Sequence, residues 1–94
     1  MKVVWTPEAL LDRDAIWEAI EVDNAVAAAD MDERFSAAAA QLADFPLIGR
    51  LGQVSGTREF IPHPSYRLVY DVASDVVWIL AVVHTARRWP PVHE

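Results

Sequence analysis

The 94-residue chain contains no cysteine, which excludes a disulfide framework, a zinc–thiolate site and cysteine nucleophilic catalysis. Thiol redox chemistry goes with it. Glycine is scarce too, with three residues against 53% hydrophobic and 23% charged positions, a composition far from disordered or collagen-like chains. A folded globule is expected, and at this length a single domain over residues 1–94. The longest strongly apolar run, Val76 to Ala86, is 11 residues and contains His84, well short of the roughly 20 that cross a bilayer. No membrane partner is expected. Met1 to Glu8 lacks the apolar stretch of a secretory leader, so a cytoplasmic location is the expectation. Phosphate-loop, dinucleotide, zincin and serine-elbow motifs are all missing, which argues against a nucleotide-dependent enzyme and against any cofactor. His63, His84 and His93 have no acid or second histidine at ligand spacing, so no metal site is expected.

Acidic residues outnumber basic ones 14 to 8, a net charge of −6, which speaks against holding nucleic acid by bulk electrostatics. The balance is uneven along the chain. Residues 1–45 carry Lys2, Arg13 and Arg34 against ten acids, whereas residues 46–94 carry five arginines against four acids. Arginine suits planar, bidentate contact with phosphate or carboxylate, so an anionic partner is sought in the second half.

Val3-Val4-Trp5 is a short β-rich run ended by Thr6-Pro7, where threonine caps a helix and proline fills its first turn. Ala9, Ile16 and Ile20 then recur at helical spacing, which predicts a helix over 7–22. Asp23-Asn24 is a break and cap. Ala28, Met31, Phe35, Ala38, Leu42 and Phe45 form one apolar stripe on a second helix that Pro46 ends. Leu47 to Gly56 reads as a loop. Thr57–Ile61, Tyr66–Val72 and Val76–Val83 are rich in β-branched and aromatic residues, with hairpin-length connections between them. The fold class is α+β with order β-α-α-β-β-β: two N-terminal helices on one face of a four-stranded, mainly antiparallel sheet. The opposite face is left free for function.

Arg58, Arg67 and the pair Arg87-Arg88 lie on or just beyond the three meander strands. Neighbouring strands are about 4.8 Å apart, so arginines from all three are able to converge on one anionic group. Such a cluster suits a phosphodiester and the charge that grows on phosphorus during attack by a 2′-hydroxyl. His84 is the nearby group able to exchange a proton near neutral pH. The plain alternative stays open: Arg58 pairs with a neighbouring acid, Arg67 with Asp71 on the same strand face, and His84 merely caps its strand.

Around these arginines the chain resembles the RelE/ParE superfamily, the toxic halves of bacterial type II toxin–antitoxin pairs. Val4-Trp5-Thr6 with Ala9, Asp12, Ile16 and Ile20 resembles the first strand and helix. Ala28, Leu42, Phe45-Pro46 and Gly49-Arg50 resemble the second helix and its exit. Gly56-Thr57-Arg58-Glu59, Tyr66-Arg67-Leu68-Val69-Tyr70 and Ile79-Leu80 with His84, Arg87, Trp89 and Pro90 complete the pattern. The resemblance implies the same two helices on an antiparallel sheet.

It also implies one of two activities. RelE-like members cleave messenger RNA on the ribosome without metal; Arg67 matches an arginine they use on the scissile phosphate, Arg58 and Arg87 fall where they keep basic residues, and as a nuclease the chain would bind the phosphate with all three, His84 being the proton carrier read above. ParE-like members inhibit DNA gyrase. There Arg58, Arg67, Arg87, Arg88 and Trp89 would instead bind the target or acidic antitoxin side chains. Phe60 stands where RelE has a second lysine, and Trp89 and His93 replace a base-stacking tyrosine of some members, which leans the expectation toward gyrase inhibition. The implied partner is a small, partly disordered antitoxin with a DNA-binding N-terminus, its amphipathic segment folding over the toxin.

Overall fold

Residues 1–90 are described in the computed structural model; His93 lies outside them. Strand β1 (Lys2–Trp5) runs into Thr6, whose Oγ1 accepts a hydrogen bond from the Ala9 amide at 3.2 Å and donates to the Ile79 carbonyl at 2.8 Å. That residue therefore starts helix α1 (Pro7–Glu21) and ties it to the sheet, while Pro7 fills a position where no amide is needed. The helix stops one residue short of the expected end, with Val22 as its cap. Asn24 opens α2 (Ala25–Asp44) by accepting from the Ala27 amide at 3.0 Å, and the helix gives way at Phe45-Pro46. The remaining elements are β2 (Arg50–Leu51), β3 (Arg58–His63), β4 (Tyr66–Ala73) and β5 (Val76–His84).

The sheet order is β1-β5-β4-β3-β2, with β1 parallel to β5 and every other pair antiparallel. A parallel pair needs a crossover, and the α1–α2 hairpin supplies it. Ser74 and Asp75 take positive φ values of 54° and 59° between β4 and β5, as a two-residue hairpin turn of right twist requires. The sheet has five strands rather than four. Arg50 and Leu51 pair with Glu59 and Arg58 inside the stretch expected to be loop. Two residues are too short to show an alternation, and glycines on either side mask them.

The main core lies between the helices and one face of the sheet, built on Phe35, Leu42, Leu68, Tyr70, Val77 and Ile79. Between the pairs Val69↔Ala81 and Tyr70↔Ile79, β5 carries one extra residue, Leu80. This bulge inverts the alternation: Val77, Ile79 and Val82 face the helices, while Ala81 and Val83 face away. Beyond Trp5, β5 has lost its β1 neighbour, and side chains of the α1 cap and of α1 itself serve the exposed edge. Thr6 takes the Ile79 carbonyl, and the Asp12 carboxylate accepts from the Val82 amide at 2.9 Å.

The far face is not left free, contrary to expectation. Its middle is a second apolar cluster of Val69, Ala81 and Val83, with Trp89 packed against it. Trp89, on the segment after β5, covers this middle, while Trp78, farther along the same face, stays 37% exposed.

Candidate functional site

Strand register decides where each arginine points, because directly paired residues share a face. Arg67 pairs with Val83 and Glu59 with Val69, so both lie on the far face. The Glu59 side chain is 1% exposed and accepts three hydrogen bonds: from Arg67 Nη1 at 3.3 Å, from Arg50 Nη2 at 3.2 Å and from the Gln53 amide at 3.1 Å. A buried carboxylate must be paired and hydrogen-bonded, and this one is both. Arg67, with a side chain 11% exposed, also donates from Nη2 to the Arg87 carbonyl at 3.1 Å. Among the described residues its Nε–H and the Trp89 indole N–H, both buried, have no partner.

Arg58 pairs with Tyr70 and so faces the helices. It donates to the carbonyls of Gly49 at 2.8 Å and Leu47 at 3.4 Å. Beside it the Tyr70 hydroxyl donates to the Pro46 carbonyl at 2.8 Å and accepts from the Gly49 amide at 2.9 Å. Burial pushes this hydroxyl above the ordinary tyrosine range, with the Gly49 amide and the Arg58 charge pulling only partly against it. Tyr70 is a protonated donor at neutral pH. Gly49 is required here: a Cβ would stand 2.6 Å from the Tyr70 hydroxyl oxygen.

His84 pairs with Tyr66 on the helix side, four residues along β4 from the Arg58 partner Tyr70, which is about 13 Å by strand rise. Its Nδ1 accepts from the Ala86 amide at 3.0 Å, and its ring meets Tyr66 edge-on at 5.2 Å. In the neutral ring Nε2 therefore carries the proton. A cleft of about 350 Å³ lies here between α1 and the end of β5, with Ile16 and Val82 among its apolar walls and His84, Arg87, Arg88 and Trp89 along its rim. Arg87 and Arg88 are exposed. No cluster of three or more potential metal ligands occurs among the described residues. No helix there is long and apolar enough to cross a membrane.

The fold and the sequence as a whole have known counterparts. A family model described as the ParE toxin of type II toxin–antitoxin systems, parDE, matches residues 3–89. The chain belongs to the ParE toxin family. It is 37% identical over 92 residues to the "Putative toxin Y4kP" of Sinorhizobium fredii, a match covering 97% of this chain and 95% of that one. It is 40% identical over 86 residues to Toxin RelE2 of Caulobacter vibrioides, covering 92% and 97%. Among solved structures it is similar in fold to the chromosomal ParDE toxin–antitoxin system from P. aeruginosa, with a TM-score of 0.74 at 21% identity over 89% of this chain and 95% of that one.

For this ParE-family toxin the expected convergence of Arg58, Arg67 and Arg87 is corrected. Arg67 holds the Arg87 carbonyl, but Arg58 lies on the other face, and His84 stands with Tyr66 rather than with Arg67. His84, Arg87, Arg88 and Trp89 do come together, at the cleft. The plain alternative is corrected as well: Arg67 pairs with Glu59, not Asp71. Phe60, read as a missing catalytic position, packs against the main core on the Arg58 face. Glu59, the hub, was missed. Strand alternation contains the signal, since Phe60 on the core side places Glu59 on the side that Arg67 shares.

Proposed function

We propose that this toxin arrests growth by binding a protein target, in the ParE-like manner of DNA gyrase inhibition, and performs no RNA cleavage. One observation carries the reading: Arg67, the arginine best matched to a phosphate-binding role, is buried against Glu59 and the Arg87 carbonyl. A guanidinium whose charge is already met by a buried carboxylate has little left to stabilise a phosphorane. Arg58 is spent on two backbone carbonyls of the other face. The net charge of −6 also works against docking among ribosomal phosphates.

As a toxin of a type II pair the chain has a cognate antitoxin as partner. The α1–β5 cleft suits the amphipathic segment of that antitoxin, because it offers apolar walls under a rim of His84, Arg87 and Arg88. The assay is purified protein in gyrase supercoiling beside cleavage of ribosome-bound message. Inhibited supercoiling with intact message is the expected result. Cleavage by wild type that is lost in an Arg67→Ala variant shown to remain folded would establish the RelE-like endoribonuclease instead, with Arg67 and Arg87 on the phosphate and His84 carrying the proton.

A further inference from the structure

From the end of α2 through β2 the chain does something costly: within seven residues it leaves Phe45, Leu47, Ile48 and Leu51 between 47% and 78% exposed. A contiguous exposed apolar patch marks an interaction site, and Phe45, Leu47 and Ile48 line one surface dish together. The patch is also held still. Tyr70 clamps the Pro46 carbonyl and the Gly49 amide, Arg58 clamps the Leu47 and Gly49 carbonyls, and the Ile48 amide bonds the Phe45 carbonyl at 3.1 Å. The backbone polar groups of this knuckle are largely consumed by the protein, so its side chains are displayed on a preorganised frame. Between Asp44 and Ile48 the surface also dips into an open apolar dish of about 450 Å³.

The charges around the knuckle say what fits it. Arg50 and Arg67 share the single carboxylate of Glu59, which leaves one positive charge over, and Arg50 is the exposed member at 60%. Arg58 has no carboxylate partner among the described residues. Asp44 offsets one of these charges, so the surroundings stay positive on the β2–β3 side. A second copy of this chain, itself at −6, is a poor occupant because the two would repel.

We infer that the Phe45–Leu51 knuckle is the surface by which this toxin engages its folded target protein, entering an apolar socket whose rim carries a carboxylate facing the exposed Arg50. The inference rests on the protein-binding reading above and places target engagement apart from the α1–β5 cleft. The test compares wild type, Leu47→Asp, the milder Leu47→Ser, and the control Val22→Asp, at another exposed apolar position. Each is assayed for growth arrest on induction, gyrase supercoiling inhibition and thermal unfolding.

At an unchanged unfolding midpoint, Leu47→Asp is expected to weaken arrest and supercoiling inhibition about tenfold or more, as truncation at an interface hot spot does, with Leu47→Ser intermediate and Val22→Asp like wild type. Wild-type potency in both Leu47 variants overturns the inference. So does a variant that still arrests growth but escapes neutralisation by the antitoxin, which would give the knuckle to the antitoxin. If wild type arrests growth and leaves supercoiling alone, the gyrase reading fails, and the knuckle is judged on growth arrest. A wild-type chain that arrests nothing overturns both.

Discussion

Replacing Arg67 with methionine keeps most of the apolar stem and deletes the guanidinium, so it isolates the ion pair from packing. Glu59 would then remain buried with the Gln53 amide at 3.1 Å and with Arg50, whose side chain is 60% exposed and 3.2 Å away. Breaking a buried pair by removing one partner costs about 3–5 kcal/mol. Because two of the three hydrogen bonds to Glu59 survive, the lower end, about 3 kcal/mol, is expected. For a domain of this size that corresponds to a fall of roughly 12–24 °C in unfolding midpoint. Urea titration with far-UV circular dichroism gives the free energy, and calorimetry the midpoint. The double variant Arg67→Met/Glu59→Met should recover at least half of the loss, since neither a charge nor its counter-charge is then left buried at this point, and Arg50 and Gln53 are free to turn to water. A loss below about 1 kcal/mol in Arg67→Met would refute the reasoning, because exposed pairs behave that way and an exposed Arg67 would be available to phosphate.

Three further outcomes follow from other contacts. Tyr70 holds its proton longer in the folded state than in the unfolded chain, so its stabilising contribution is intact below about pH 10 and is lost as pH climbs past that value toward the raised folded one. Urea midpoints measured from pH 8 upward should fall in this window for wild type, and less steeply for Tyr70→Phe. Asp12→Ala leaves the Val82 amide without its acceptor at the bulged edge of β5, which should cost about 1–3 kcal/mol by chemical denaturation. Gly49→Ala drives a methyl into the Tyr70 ring and the Glu59 carbonyl, so a loss of about 1–3 kcal/mol or more is expected, together with loss of growth arrest if the knuckle engages the target.

The helices were legible because their boundaries are written in local chemistry. Thr6, Pro7 and Asn24 act on their own neighbours, and the Ala28-to-Leu42 stripe needs no partner to be seen. The meander was legible for the same reason, although the connection read as Ala73-Ser74-Asp75 is the two-residue turn Ser74-Asp75, with Ala73 still in β4. The arginine cluster was misread because inter-strand spacing says how close two strands are and not which face a side chain takes. That depends on register, and register here passes through an irregularity between Phe60 and His63 and the bulge at Leu80. Arg67 and Asp71 share a face but stand about 13 Å apart along β4, whereas Glu59 is the diagonal neighbour across the strand pair, within reach of a long side chain. The donors to Glu59 lie only six to nine residues away along the chain, but it is the β2–β3 pairing and the β3–β4 hairpin that turn Arg50, the Gln53 amide and Arg67 onto its carboxylate.

Arg67, neutralised inside the protein by Glu59, is held away from any anionic substrate. The arginine side-chain 15N–1H spectrum of the folded toxin reads this out, with the Arg67 Nε signal identified by its absence in Arg67→Met, recorded while a short single-stranded RNA is titrated in. A resonance that exchanges slowly with solvent and stays put throughout the titration is the predicted result. A saturable shift of that resonance with added RNA would contradict it.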